Sequence, residues 1–134
     1  MMMIPLLRLA AVGFALSIGF IPSPVRAGAA DDAVMKRGRV LSLRCSTCHE
    51  YAAGKAHKVG PNLHGFFGRR AGAAPGFDFS PAMSASTRVW NEATIDQWLE
   101  RPSAVIPGTK MAFVGLPKPD DRRALIAWLR EATR

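Results

Sequence analysis

At 134 residues the chain is long enough for one domain, and its two cysteines leave no thiols for a disulfide framework or a second cluster. Eighteen basic residues against 10 acidic ones give a formal net charge of +8, which points toward acidic partners. The N-terminus argues for export, where nucleic acid is seldom met, so acidic faces of protein partners are the better reading. Met1 to Arg8 carries one positive charge, Leu9 to Ile21 is apolar throughout, and Pro22, Pro24 and Ala27-Gly28-Ala29-Ala30 follow. Basic, then apolar, then small is the order of a secretory leader. The apolar run of 13 residues falls short of the ~20 that span a bilayer. Residues 1–29 are therefore expected to be removed by cleavage near 27–30, leaving a domain over 30–134. Val25-x-Ala27 and Ala27-x-Ala29 both fit the exit site. Loss of Arg8 and Arg26 leaves 16 basic residues against 10 acidic, a net charge of +6.

Asp31 to Thr47 reads as a helix, with two acids at its start and Val34, Gly38, Leu41 and Cys45 recurring on one face. Gly38 inside it costs about 1 kcal/mol relative to alanine, which implies close packing there. The helix delivers Cys45-Ser46-Thr47-Cys48-His49, the attachment signature of a c-type haem. On one helical turn both sulfurs project from the same side, so each can add to a vinyl group of one porphyrin. His49 then lies beneath the ring with a nitrogen aimed at iron. Two other readings of the pair stand beside this one. A zinc site needs two more ligands, and the spacing of His57 and His64 fits no common pattern. A thioredoxin-like dithiol needs a preceding strand, and none is patterned before Cys45.

From Glu50 to Arg88, glycines at 54, 60, 65, 68, 72 and 76 and prolines at 61, 75 and 81 leave room only for turns and a short helix after Ser80-Pro81. A loop of this length makes sense in a compact domain if it wraps something, and a haem would also supply core that so small a chain lacks. Asn91 suits an N-cap for a helix carrying Ile95, Trp98 and Leu99 inward and stopping before Pro102. Ile106-Pro107-Gly108-Thr109-Lys110-Met111 reads as a stiff turn that presents a methionine. A last helix is expected from about Pro119 to Thr133, with an apolar stripe of Leu125, Trp128, Leu129 and Ala132. No run alternates as a strand. The fold class is all-α, with three to four helices and long loops around one covalently bound haem.

These residues together closely resemble class I cytochromes c, the soluble group that includes mitochondrial cytochrome c and its bacterial relatives. The likeness rests on CSTCH at 45–49, HKVGPNLHGFFGRRAG at 57–72, APGFDFS at 74–80, Trp90, PGTKM at 107–111 and LIAWL at 125–129, in that order. The early position of the haem motif argues against the four-helix cytochromes, which carry it near the C-terminus. For a sixth ligand the expected mature chain offers Met35, Met83 and Met111. Met35 shares the short helix with the attachment site, and Met83 suits packing. Met111 follows the stiff turn, and the resemblance places the axial thioether there. His49 and Met111 are thus the expected metal ligands, and Cys45 and Cys48 the covalent links. With both axial places filled, the expected role is a carrier rather than an enzyme.

The resemblance also implies that the Pro61 carbonyl accepts from His49, that Arg69 and Trp90 lie near a buried haem propionate, and that Thr109 lies beside Met111. Gly38, Leu125 and Trp128 should join the first and last helices, while His57 and His64 are left to structure or surface. Phe79, Met83 and Trp98 depart from residues frequent in relatives, which implies a drier crevice and an altered hydrogen bond to Met111. Arg44, Lys58, Lys110 and Lys118 match positive positions near the haem edge, whereas Ser103 and Ala104 stand where lysines are common. The expected function is a periplasmic single-haem carrier of respiratory or photosynthetic electron transport. A cytochrome bc complex, an oxidase, a reaction centre or a dehydrogenase would be its partner. A dehydrogenase subunit, a haem peroxidase or gas-binding protein, and a haem-free thiol oxidoreductase are the rival readings. A monomer is expected, because the core stripes use up the apolar helix faces.

Overall fold

The computed structural model describes residues 27–134. The leader expected over 1–29 lies outside the described residues except for its last three. Five helices follow in order: α1 Ala27–Ser46, α2 Pro81–Ser84, α3 Glu92–Glu100, α4 Pro102–Val105 and α5 Pro119–Ala132. Among the described residues there is no strand, only an isolated antiparallel bridge between Arg70 and Val89. The all-α expectation holds, with five helices instead of three to four. α2 and α4 are single turns, each opened by a proline whose fixed φ and missing N–H suit a first helical position. Pro102 was expected only to stop α3. It also starts α4, so Arg101 closes one helix and opens the next.

α1 begins at Ala27, four residues before the acidic pair expected to open it. Alanine is the best helix former, and the small-residue run Ala27-Gly28-Ala29-Ala30 extends the helix toward the N-terminus. α1 crosses α5 where Gly38 meets the Ala124 carbonyl and Trp128; a β-carbon added there would sit 2.6 Å from Trp128 Cβ. Only glycine lets the two helices come this close. Arg37 clasps Asp121 at the start of α5, its Nε donating at 2.6 Å. Val34, placed by periodicity on the buried face, is exposed, because it lies a turn beyond this crossing. Val40 and Leu43 are exposed too, so α1 keeps an uncovered apolar pair that the expectation of fully used faces did not foresee.

α3 starts with a reciprocal cap. The Asn91 side chain accepts from the Thr94 N–H, and Thr94 Oγ1 accepts from the Asn91 N–H, both at 2.9 Å. Such a cap is worth about 1 kcal/mol. Ile95, Trp98 and Leu99 of α3 join Leu125, Ile126 and Leu129 of α5 in the core, as their spacing requires. Arg122 is buried between the two helices. Its Nε donates to Asp96 Oδ1 at 2.8 Å, and its Nη1 donates to the Leu116 and Pro117 carbonyls at 2.9 and 3.1 Å. A guanidinium so placed keeps its charge only because these oxygens replace water.

Candidate functional site

Between α1, α3, α5 and the long loops lies a cavity of about 510 Å³. Cys45, Cys48 and His49 stand on one side of its lining, and Met111 belongs to the loop between α4 and α5 that closes it elsewhere. Phe66, Phe79, Met83, Trp98, Ile95 and Leu99 make the wall apolar. Pro61, Arg69, Trp90 and Thr109 also line it, so all eight residues expected at the site come together. They are drawn from five separate stretches of chain.

The attachment turn is built by backbone. Cys45 closes the end of α1 by accepting from the N–H groups of Cys48 and His49 at 3.0 and 2.9 Å. The loop that follows is zipped back onto the turn, with Gly60 N–H donating to the Cys48 carbonyl and Leu63 N–H to that of Glu50, each at 2.8 Å. His49 Nδ1 donates to the Pro61 carbonyl at 2.7 Å. A carbonyl can only accept, so the proton sits on Nδ1 and Nε2 keeps its lone pair. Burial lowers the His49 pKa below its ordinary value and favours the neutral ring, the form a metal takes. Gly60 completes the seat, since a β-carbon there would press on the His49 ring, 2.7 Å from Nδ1. Sequence reasoning missed Gly60. Its signal was a glycine directly before the proline whose carbonyl orients the histidine.

In the closing loop, Thr109 N–H bonds the Ile106 carbonyl at 3.1 Å and Thr109 Oγ1 accepts from Met111 N–H at 3.2 Å. Lys110 Nζ reaches Asp78 Oδ2 at 2.7 Å and ties this loop to the 72–80 stretch. At the far end, Trp90 N–H donates to the Arg69 carbonyl at 2.9 Å, and Gly68 N–H donates to the Trp90 carbonyl at 2.7 Å. This pairing sets Arg69 and Trp90 side by side, with the Arg69 guanidinium donating to the His64 carbonyl at 3.0 Å.

Phe79, Met83 and Trp98 all face the cavity, and the Trp90 and Trp98 rings are 5.4 Å apart. His57 uses both nitrogens structurally. Nδ1 accepts from Asn62 N–H at 2.9 Å and Nε2 donates to the Pro75 carbonyl at 2.8 Å. Of the basic residues expected at the rim, Arg44 and Lys110 line the cavity and Lys58 and Lys118 do not. Lys58 is held over the attachment turn at the Ser46 carbonyl, and Lys118 precedes the first turn of α5.

The residues present fit a haem. Two thiols, a tautomer-fixed imidazole and a thioether share one apolar cavity, and a glycine keeps the imidazole's place clear. Among the described residues no three histidines, cysteines or acids gather as a metal cluster. α1, not a strand, precedes Cys45, which removes the thioredoxin reading. No described helix is long and apolar enough to cross a membrane.

No family model matches the chain. Curated relatives do. It is 46% identical over 98 residues to cytochrome c of Ulva intestinalis, covering 73% of this chain and 88% of that one. It is 42% identical over 115 residues to cytochrome c of Kluyveromyces lactis, covering 85% of this chain and all of that one. To cytochrome c of Arabidopsis thaliana it is 43% identical over 99 residues, covering 74% and 88%. With these relatives, and an apolar cavity that fits a haem, the chain is a c-type cytochrome, a single-haem electron carrier and not an enzyme. Within that class the chain belongs to the class I cytochromes c, and its cofactor is haem c, with Cys45 and Cys48 in the attachment spacing.

Proposed function

We propose that this cytochrome works in a bacterial periplasm, moving single electrons between respiratory or photosynthetic complexes. Residues 1–29 act as the export leader and 30–134 as the mature domain. Cys45 and Cys48 would carry the haem, and His49 Nε2 and the Met111 sulfur would hold its iron. Pro61 holds His49 in the donating tautomer, and Thr109 holds the backbone of Met111. Arg69 and Trp90 supply a guanidinium and an indole N–H to the propionate end. Bound, a haem would supply the one-electron couple, and a thioether and an imidazole as its donors would give a higher potential than two imidazoles. The chain keeps water away and leaves reorganisation small.

The convergence of Cys45, Cys48, His49 and Met111 on one apolar cavity carries the reading. Absorption spectra of the oxidised and reduced protein test it. Visible bands of covalently attached haem and a far-red sulfur-to-iron band in the ferric form are expected. Carbon monoxide binding to the ferrous protein would instead indicate an open iron site. N-terminal sequencing of exported protein is expected to begin near residues 27–30. Arg44 and Lys110 at the cavity, with Lys58 and Lys118 further out, steer an acidic redox partner. Electron-transfer rates should therefore fall steeply as salt rises, and a flat profile would remove them from docking.

A further inference from the structure

The carbonyls at the end of α1 need partners once the helix stops at Ser46, and each side chain that supplies one also fixes the attachment turn. Ser46 Oγ donates to the Leu43 carbonyl at 2.9 Å. Lys58 Nζ takes the Ser46 carbonyl. A further tie, one residue deeper in the helix, comes from the first residues of the returning loop. Tyr51, the only tyrosine in the chain, donates its hydroxyl to the Ser42 carbonyl at 2.9 Å. Its ring stands edge-on to Trp128 of α5, with centroids 5.1 Å apart. Trp128 is also the residue against which Gly38 packs. The two ends of the turn that holds Cys48 and His49 are thus joined by one phenol, which rests on the α1–α5 crossing.

We propose that Tyr51 is a positioning residue for haem attachment, its hydroxyl holding the end of α1 in register with His49. This rests on the haem reading above. The phenol's single proton goes to the Ser42 carbonyl, and the Trp128 contact fixes where it points. Burial pushes the Tyr51 phenol well above its ordinary pKa, so it remains a donor throughout the neutral range.

Tyr51→Phe keeps the ring against Trp128 and removes only the hydroxyl; Tyr51→Leu removes both. The test uses the haem-loaded protein, whose visible spectrum first reports attachment in parent and variants alike. A colourless parent would overturn the haem reading and this proposal with it, whereas a coloured parent confines the outcomes below to Tyr51. In Tyr51→Phe, amide hydrogen exchange at Cys48 and His49 should rise about tenfold relative to the centres of α3 and α5, and the midpoint potential should shift. Tyr51→Leu should add faster exchange along α1 and α5. If the turn of Tyr51→Phe exchanges no faster than the parent's, if the rise is shared equally by all helices, or if the potential is unmoved, the proposal is overturned.

Discussion

The α1–α5 crossing and the 50–90 loop region are made in opposite ways. At the crossing, protein packs on protein. Gly38 fits beneath Trp128, Leu125 is fully buried, and Arg37 closes the open end against Asp121. The loop region, by contrast, holds its course through backbone bonds such as Gly60 to Cys48 and Leu63 to Glu50, and turns many of its apolar side chains toward the cavity. The first region carries its own stability; the second is shaped for a guest. Substitutions should therefore separate the two.

The largest expected effect is at the crossing. Gly38→Val would drive a side chain into the Ala124 carbonyl and Trp128, which are backbone and a wedged indole that cannot both give way. A loss of about 3 kcal/mol is expected, seen in thermal melting as a fall of roughly 12 °C or more. Asp96→Ala comes next, leaving Arg122 with backbone carbonyls and a distant Glu100. Because Asp96 is partly exposed, about 2 kcal/mol is expected, short of the full cost of breaking a buried pair. Urea unfolding measures it, and an unchanged midpoint would show that the carbonyls alone satisfy the guanidinium.

On the cavity side the signature should change. Gly60→Ala presses on the His49 ring and is expected to cost about 1 kcal/mol overall while visibly altering the haem spectrum. Protection of the α1 and α5 amides should stay as in the parent. Loss of that protection would mean the two regions are not separable. Trp98→Tyr places a hydroxyl in the cavity wall and should shift the midpoint potential with little change in melting; an unmoved potential would count against a role for the apolar wall.

The smallest effect is one of pH. Burial raises the Tyr51 phenol, so both folded and unfolded chains hold its proton below the ordinary value of about 10. Above that the unfolded chain releases it first, and the stability Tyr51 contributes declines as pH rises. Between pH 9 and 11 the parent should lose more stability in urea than Tyr51→Phe, and parallel losses would show the phenol to be uncoupled.

Much of this was legible before any coordinates. The attachment motif, the Asn91 cap, the apolar spacing of α3 and α5 and the stiff turn before Met111 are local signals, and local physics decided them. The start of α1 was misread because Ala27-Gly28-Ala29-Ala30 suits both a leader exit and a helix. Val34 was misplaced because periodicity says which face a residue occupies, but not how far the partner helix extends. α4 was hidden behind a proline read as a stop. Gly60 and Tyr51 act across the attachment turn, through contacts that no single window of sequence contains.

His57 gives the loop region one more property. Asn62 N–H can only donate and the Pro75 carbonyl can only accept, so a single tautomer of one rigid ring bridges them. The chain from 57 to 75 is thereby closed into a hoop, and its freedom is cut as any loop closure cuts it. Phe66 and Arg69 ride on that hoop. One stretch of the cavity wall is thus tied by a noncovalent clasp that lies outside the lining itself.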